Sequence, residues 1–119
     1  MSDATTGSVV ARLMAVIEHR RRERPGGSYT VELLDGGPAV LSAKVIEEAY
    51  ELIGAAAEST DDVPSRMAIT HEAADVMFHL MVFLAANDIA WLDVERELEQ
   101  RFGVSGLTEK AHRPQGEAS

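Results

Sequence analysis

Five carboxylates on two apolar stretches are the residues of this chain best suited to chemistry. Glu47, Glu48 and Glu51 lie in LSAKVIEEAYELIG, and Glu72 and Asp75 lie in HEAADVMFHLMVFL. Glu48-x-x-Glu51 and Glu72-x-x-Asp75 both have a three-residue spacing, which puts two side chains on one helix face. At about 100° per residue, Glu72, Asp75 and His79 share a sector of about 60° on a stretch that is otherwise apolar nearly all round. Aligned on Leu41, the first stretch is expected to bury Val45, Ala49, Leu52 and Ala56. Glu48 and Glu51 flank that stripe on one side with Lys44 beside them, and Glu47 is turned furthest from it. Carboxylates crowded at a core edge either take up protons or recruit a cation. Oxygen-only ligands in a chain without cysteine suit a hard ion such as Mg²⁺ or Mn²⁺, which keeps several waters and binds phosphate oxygens. The expected chemistry is therefore metal-dependent work on phosphates. A lone Glu-x-x-Glu is commonplace on a solvated helix, so the weight rests on the conjunction of the two pairs. A di-iron centre needs Glu-x-x-His on two helices. Here His79 stands seven residues after Glu72 and no second such pair exists. His79 reads as a hydrogen-bonded core histidine, while His19 and His71 carry no specific signal.

The elements that must position these residues are helical throughout. Ser8 caps a first helix with Val9, Val10, Leu13, Val16 and Ile17 at helical spacing, ending near Arg24 before Pro25-Gly26-Gly27. Residues 28–34 form either one or two helical turns or an extended segment. Gly36-Gly37-Pro38 breaks the chain, and a long helix follows over about 38–58. A loop at 59–62 leads to a third long helix over about 65–86, and a fourth covers about 91–102 before Gly103. A short helical piece is expected at 107–111. The fold class is all-α: a bundle of four to five helices spanning residues 8–113, with flexible termini at 1–7 and 114–119. A helix that is apolar all round cannot be covered by so few partners, which predicts that oligomerisation completes the bundle. A homodimer or higher homo-oligomer is expected, an arrangement that can build sites from both chains.

Composition narrows the partners. The 119 residues carry 11 Lys+Arg against 20 Asp+Glu, a formal net charge of −9, which disfavours polymeric nucleic acid and anionic membranes. No stretch of about 20 apolar residues is apparent and the N-terminus has no basic and apolar signal pattern, so a cytoplasmic protein is expected, neither crossing nor binding a membrane. Arg20-Arg21-Arg22 and Arg24 are read first as cations favoured at a helix C-terminus, and second as receivers of substrate phosphates.

The order and spacing of these pieces bear a resemblance that spans about residues 8–113. Glu48-x-x-Glu51, a gap of 20 residues and Glu72-x-x-Asp75 resemble the metal motif of the all-α nucleoside triphosphate pyrophosphohydrolases. The wider context is similar to the phosphoribosyl-ATP pyrophosphatase family of histidine biosynthesis. That context comprises Gly27-Ser28-Tyr29-Thr30, Leu33-Leu34, Gly36-Gly37, residues 44–51, residues 72–80, Asp93-Val94-Glu95 and residues 105–111. Ile46 and Trp91 depart from the family's usual pattern. The resemblance implies hydrolysis of phosphoribosyl-ATP to phosphoribosyl-AMP and pyrophosphate. Carried over, Glu48, Glu51, Glu72 and Asp75 hold Mg²⁺, with Mn²⁺ a possible substitute. Glu47 positions or deprotonates water, or binds a further ion. Lys44 has two readings, a phosphate contact or an i,i+4 partner of Glu48. Ser28, Lys110 and Arg113 are candidate phosphate contacts. A related enzyme acting on other, non-canonical nucleoside triphosphates is the alternative, and a non-enzymatic oligomerisation module is the third reading.

Overall fold

A computed structural model describes residues 8–103. Five helices are present, and no strand occurs among the described residues: α1 Val9–Glu23, α2 Tyr29–Asp35, α3 Gly37–Ala57, α4 Val63–Ala86 and α5 Trp91–Phe102. The expected helical piece at 107–111 and both expected flexible termini lie outside the described residues. The helices fall into two compact units, one ending at Asp88 and the other beginning at Ile89. The first holds α1 to α4 and the second holds α5.

Local chemistry sets each boundary. The Ser8 hydroxyl accepts the Ala11 N–H, and α1 closes on Arg24 in the left-handed conformation with Arg20, Arg21 and Arg22 in its last turn. Arg21 pairs with Glu18 at 3.1 Å and with Asp88 at 2.6 Å, while Arg24 pairs with Asp35. Arg21 and Arg24 are thus committed within the chain. The segment at 28–34 is helical, with Ser28 accepting the Val31 N–H at 3.3 Å as the N-cap of α2. Two glycines make the α2–α3 corner. A Cβ at Gly36 would stand 2.7 Å from the Val40 Cβ, and Gly37 has φ +81°, a conformation that favours glycine. Asp62 caps α4 by accepting the Ser65 N–H at 2.9 Å, with Pro64 in the first turn.

The most extensive packing in the first unit is between α3 and α4, with α1 and α2 laid against them. The core comprises Met14, Ile17, Leu33, Leu41, Met81, Val82 and Ala85, with Thr30, Glu48 and His79 buried among them. On α3 the buried face is rotated from the expected stripe. Leu41 and Glu48 are buried, Val45, Ala49 and Leu52 are half-buried, and Ala56 is exposed. The cause is that α4 packs on the carboxylate side of α3. The opposite apolar edge, Ile46, Tyr50 and Ile53, is left exposed, as are Val63 and Met67 on α4. By length and composition alone α4 could cross a membrane, contrary to the expectation of no such segment. Glu72 and Asp75 inside it would be costly in hydrocarbon, and α4 already packs against α3 and α1, as a bundle helix does.

Candidate metal and catalytic site

Helical geometry brings the two carboxylate pairs together. α3 and α4 are joined by a short loop, so they run antiparallel, and Glu48-x-x-Glu51 comes to face the N-terminal half of α4. Glu48, Glu51 and Glu72 each offer an oxygen within 4.8 Å of the others. His71, Glu72 and Asp75 form a second such group, sharing Glu72 with the first. The sequence expectation of four converging acids thus appears as two overlapping triads. His71 joins the second, its Nε2 lying 3.4 Å from the Asp75 carboxylate one turn on. Read alone, His71 carries no specific signal; its i,i+4 spacing to Asp75 and adjacency to Glu72 gain meaning once the helices pack.

The electrostatics of the cluster are unfavourable without a counter-charge. Glu48 is 6% exposed. The Glu48 charge, together with burial and the charges of Glu72 and Glu47, pushes the Glu51 carboxyl above the ordinary glutamate range. Glu72 Oε1 is buried with no hydrogen-bond partner. A buried, unpartnered carboxylate oxygen costs free energy that a coordinated cation removes. All the donors are carboxylate oxygens apart from one imidazole nitrogen, a set that suits a hard divalent ion. The residues present therefore fit such an ion.

Lys44 and Glu47 sit on the flank of this cluster. The Lys44 ammonium lies 3.0 Å from Glu47 and 3.5 Å from Glu48, and the hydrogen bond to Glu47 holds it charged above the usual lysine range. The i,i+4 pairing with Glu48 is therefore present, and Glu47 is engaged as well. Glu47 stays half-exposed beside the buried Glu48. Ser28 spends an acceptor lone pair on capping α2. Lys110 and Arg113 lie outside the described residues.

His79 is a buried, doubly hydrogen-bonded core histidine, as its place in the sequence suggests. Its partner Tyr29 is 50 residues away, a contact no local pattern announces.

A 560 Å³ cleft between α3 and α4 opens onto Glu51 and Glu72, with Gly54, Ala55 and Ala68 giving it small walls. A carboxylate cluster at the mouth of a cleft in a helical unit defines a class: an all-α protein built to hold a hard cation beside a ligand-sized space. Comparison with known proteins makes that particular. The sequence profile of the family described as Phosphoribosyl-ATP pyrophosphohydrolase matches residues 10–102. The chain is 46% identical over 102 residues to the phosphoribosyl-ATP pyrophosphatase of Jannaschia sp. (strain CCS1), covering 86% of this chain and 95% of that protein. It is 46% identical over 106 residues to the protein of the same name from Dinoroseobacter shibae, covering 89% of this chain and 99% of that one. The counterpart from Rhodopirellula baltica is also 46% identical, over 103 residues, 87% of this chain and 84% of that protein. The chain belongs to the phosphoribosyl-ATP pyrophosphohydrolase family.

Proposed function

We propose that this protein hydrolyses phosphoribosyl-ATP to phosphoribosyl-AMP and pyrophosphate in the cytoplasm, as a step of histidine biosynthesis. The observation that carries the site assignment is the buried, unpartnered oxygen of Glu72, the residue shared by the Glu48–Glu51–Glu72 and His71–Glu72–Asp75 groups. Glu48, Glu51, Glu72 and Asp75 hold Mg²⁺, with Mn²⁺ able to replace it. A divalent ion there would neutralise triphosphate charge and lower the pKa of bound water.

The chain's own residues supply the rest. The reaction adds water across the α–β phosphoanhydride: the hydroxyl goes to one phosphorus, the bridging bond breaks, and the other fragment leaves with its oxygen. Glu47, half-exposed and oriented by Lys44 at 3.0 Å, takes the proton from the attacking water. Lys44 pairs with both Glu47 and Glu48, and its positive charge favours an approaching phosphate. The walls of Gly54, Ala55 and Ala68 leave the cleft open to the nucleotide.

A second copy of the chain completes the bundle. Ile46, Tyr50 and Ile53 recur at i, i+4 and i+7 on α3, and Val63 and Met67 at i, i+4 on α4, all exposed. Apolar edges of this kind on neighbouring helices suit a helix-on-helix homodimer interface.

Product analysis tests this reading. Incubation of phosphoribosyl-ATP with the protein and Mg²⁺ is expected to yield phosphoribosyl-AMP and pyrophosphate in equal amounts. Release of orthophosphate instead would overturn cleavage at the α–β bond.

A further inference from the structure

Gly54 lies inside α3, three residues after Glu51, and neither its backbone nor its packing calls for glycine. Its φ is not positive, and a Cβ placed there would meet nothing within 4 Å. Gly36 differs, since a Cβ there would strike Val40. A glycine inside a helix is less stable than an alanine, because it loses more backbone freedom on folding. The open space at Gly54 is part of the 560 Å³ cleft between α3 and α4, whose walls also carry Glu51 and Glu72.

Helix geometry sets what a side chain at position 54 would cover. The Cα–Cβ bond of a helical residue tilts toward the N-terminus, so a residue at 54 would lean over the turn that carries Glu51. Glu51 belongs to the Glu48–Glu51–Glu72 group. The space at Gly54 therefore begins beside the candidate cation site, about 4.5 Å along the helix axis from Glu51. Whatever fills it is joined closely to a phosphate held at that site. The charged groups among the described lining residues are Glu51, Glu58 and Glu72, all acids. Away from the ion such walls repel further phosphate, and their oxygens accept hydrogen bonds from hydroxyls. An uncharged, hydroxyl-bearing group attached directly to a phosphate meets both conditions, and in a nucleotide that group is the sugar.

We propose that Gly54 is a specificity-determining residue: its missing side chain is the clearance that lets the sugar on the α-phosphate side of the substrate lie against α3 beside the cation site. This rests on the pyrophosphohydrolase reading above. Gly54 contributes space rather than a functional group, so filling that space separates the two products of the reaction. The nucleoside monophosphate carries the sugar, and pyrophosphate does not.

The test is Gly54→Leu, which supplies a good helix former and puts a side chain into the cleft, with Gly54→Ala as the smaller step. Binding of phosphoribosyl-AMP and of pyrophosphate is measured by calorimetry with Mg²⁺ present, alongside binding of Mg²⁺ alone. Gly54→Leu is expected to weaken phosphoribosyl-AMP at least about tenfold, the scale of a misfit in a pocket, and to leave pyrophosphate and Mg²⁺ within about twofold. Gly54→Ala should weaken phosphoribosyl-AMP less and raise the melting temperature by about 2–6 °C, because alanine restricts the unfolded chain. Unchanged binding of phosphoribosyl-AMP to Gly54→Leu, or an equal loss for phosphoribosyl-AMP and pyrophosphate, would overturn the proposal. So would a change of mass in light scattering, which would assign the space at Gly54 to a second copy of the chain. The hydrolase reading is decided on wild type alone, by which triphosphate it turns over. Where that is another nucleotide, its monophosphate replaces phosphoribosyl-AMP, so the two readings fail separately.

Discussion

At the scale of single residues, Glu72 is the pivot. It belongs to both groups of three, and one of its oxygens is buried without a partner. Glu72→Gln keeps the shape and removes the charge. Losing outer-shell partners of a metal costs about 10–100-fold in affinity or activity, and losing a direct ligand is expected to cost at least that. Thermal stability without added metal should not fall, because a repelling charge has gone. Activity and melting temperature measured side by side check this. A variant that lost stability and kept activity would remove Glu72 from the site. Glu51 adds a pH dependence. Its carboxyl is raised, first by the charge of Glu48. A raised folded pKa favours folding at low pH, and that contribution is lost as pH rises through the raised value. Stabilisation by Mg²⁺ should therefore be larger at pH 8 than at pH 5, as measured by melting temperature with Mg²⁺ and with chelator. The clustering of Glu48, Glu51, Glu72 and Asp75 is legible in the sequence because i,i+3 spacing is a local property. His71 and the Tyr29–His79 bond are not, because adjacency to the cluster and a contact across 50 residues depend on how helices pack.

At the scale of elements, most helix boundaries follow from residues visible in the sequence, namely Ser8, Gly36-Gly37 and Gly103, whereas α4 starts at Val63 behind the Asp62 cap, ahead of the expected start near 65. The short segment after Gly27 reads equally as one or two helical turns or as an extended segment, since seven residues hold too few turns to show a period. Its Ser28 cap decides it. The buried face of α3 turned toward Glu48 rather than staying on the Val45–Ala56 stripe, because packing against α4 outweighed the apolar average. Asp62 caps the helix that carries Glu72 and Asp75, and hydrogen bonds from Ser65, then Thr60, hold its carboxyl below the usual aspartate range. A depressed carboxylate stabilises the fold above its unfolded pKa, and that contribution is lost as pH falls through the folded value. Asp62→Ala should lower the melting temperature at pH 7. The gap to wild type should narrow as the pH drops below about 4, which a melting series across pH would show. A gap that stayed constant with pH would mean that the Asp62 charge plays no part in the cap.

At the scale of the whole molecule, apolar edges of α3 and α4 are exposed, and part of the formal charge of −9 is gathered in the carboxylate cluster. The all-round apolar character of α4 is readable from sequence and predicts a second copy. Which faces stay open emerges only from the packing of α1 to α4. Ile53→Lys puts a charge into the proposed dimer face, away from the carboxylate cluster, and is expected to shift the protein toward monomer in light scattering after size exclusion. An unchanged mass would remove this face from the proposed dimer interface.

Pyrophosphate release tests the central claim most directly. Phosphoribosyl-ATP and a panel of other nucleoside triphosphates are compared with Mg²⁺ present and with the metal chelated. The account predicts turnover of phosphoribosyl-ATP far above the panel, abolished by chelation and restored by Mg²⁺. Equal or faster turnover of the panel, or release of pyrophosphate that persists without a divalent ion, would contradict it.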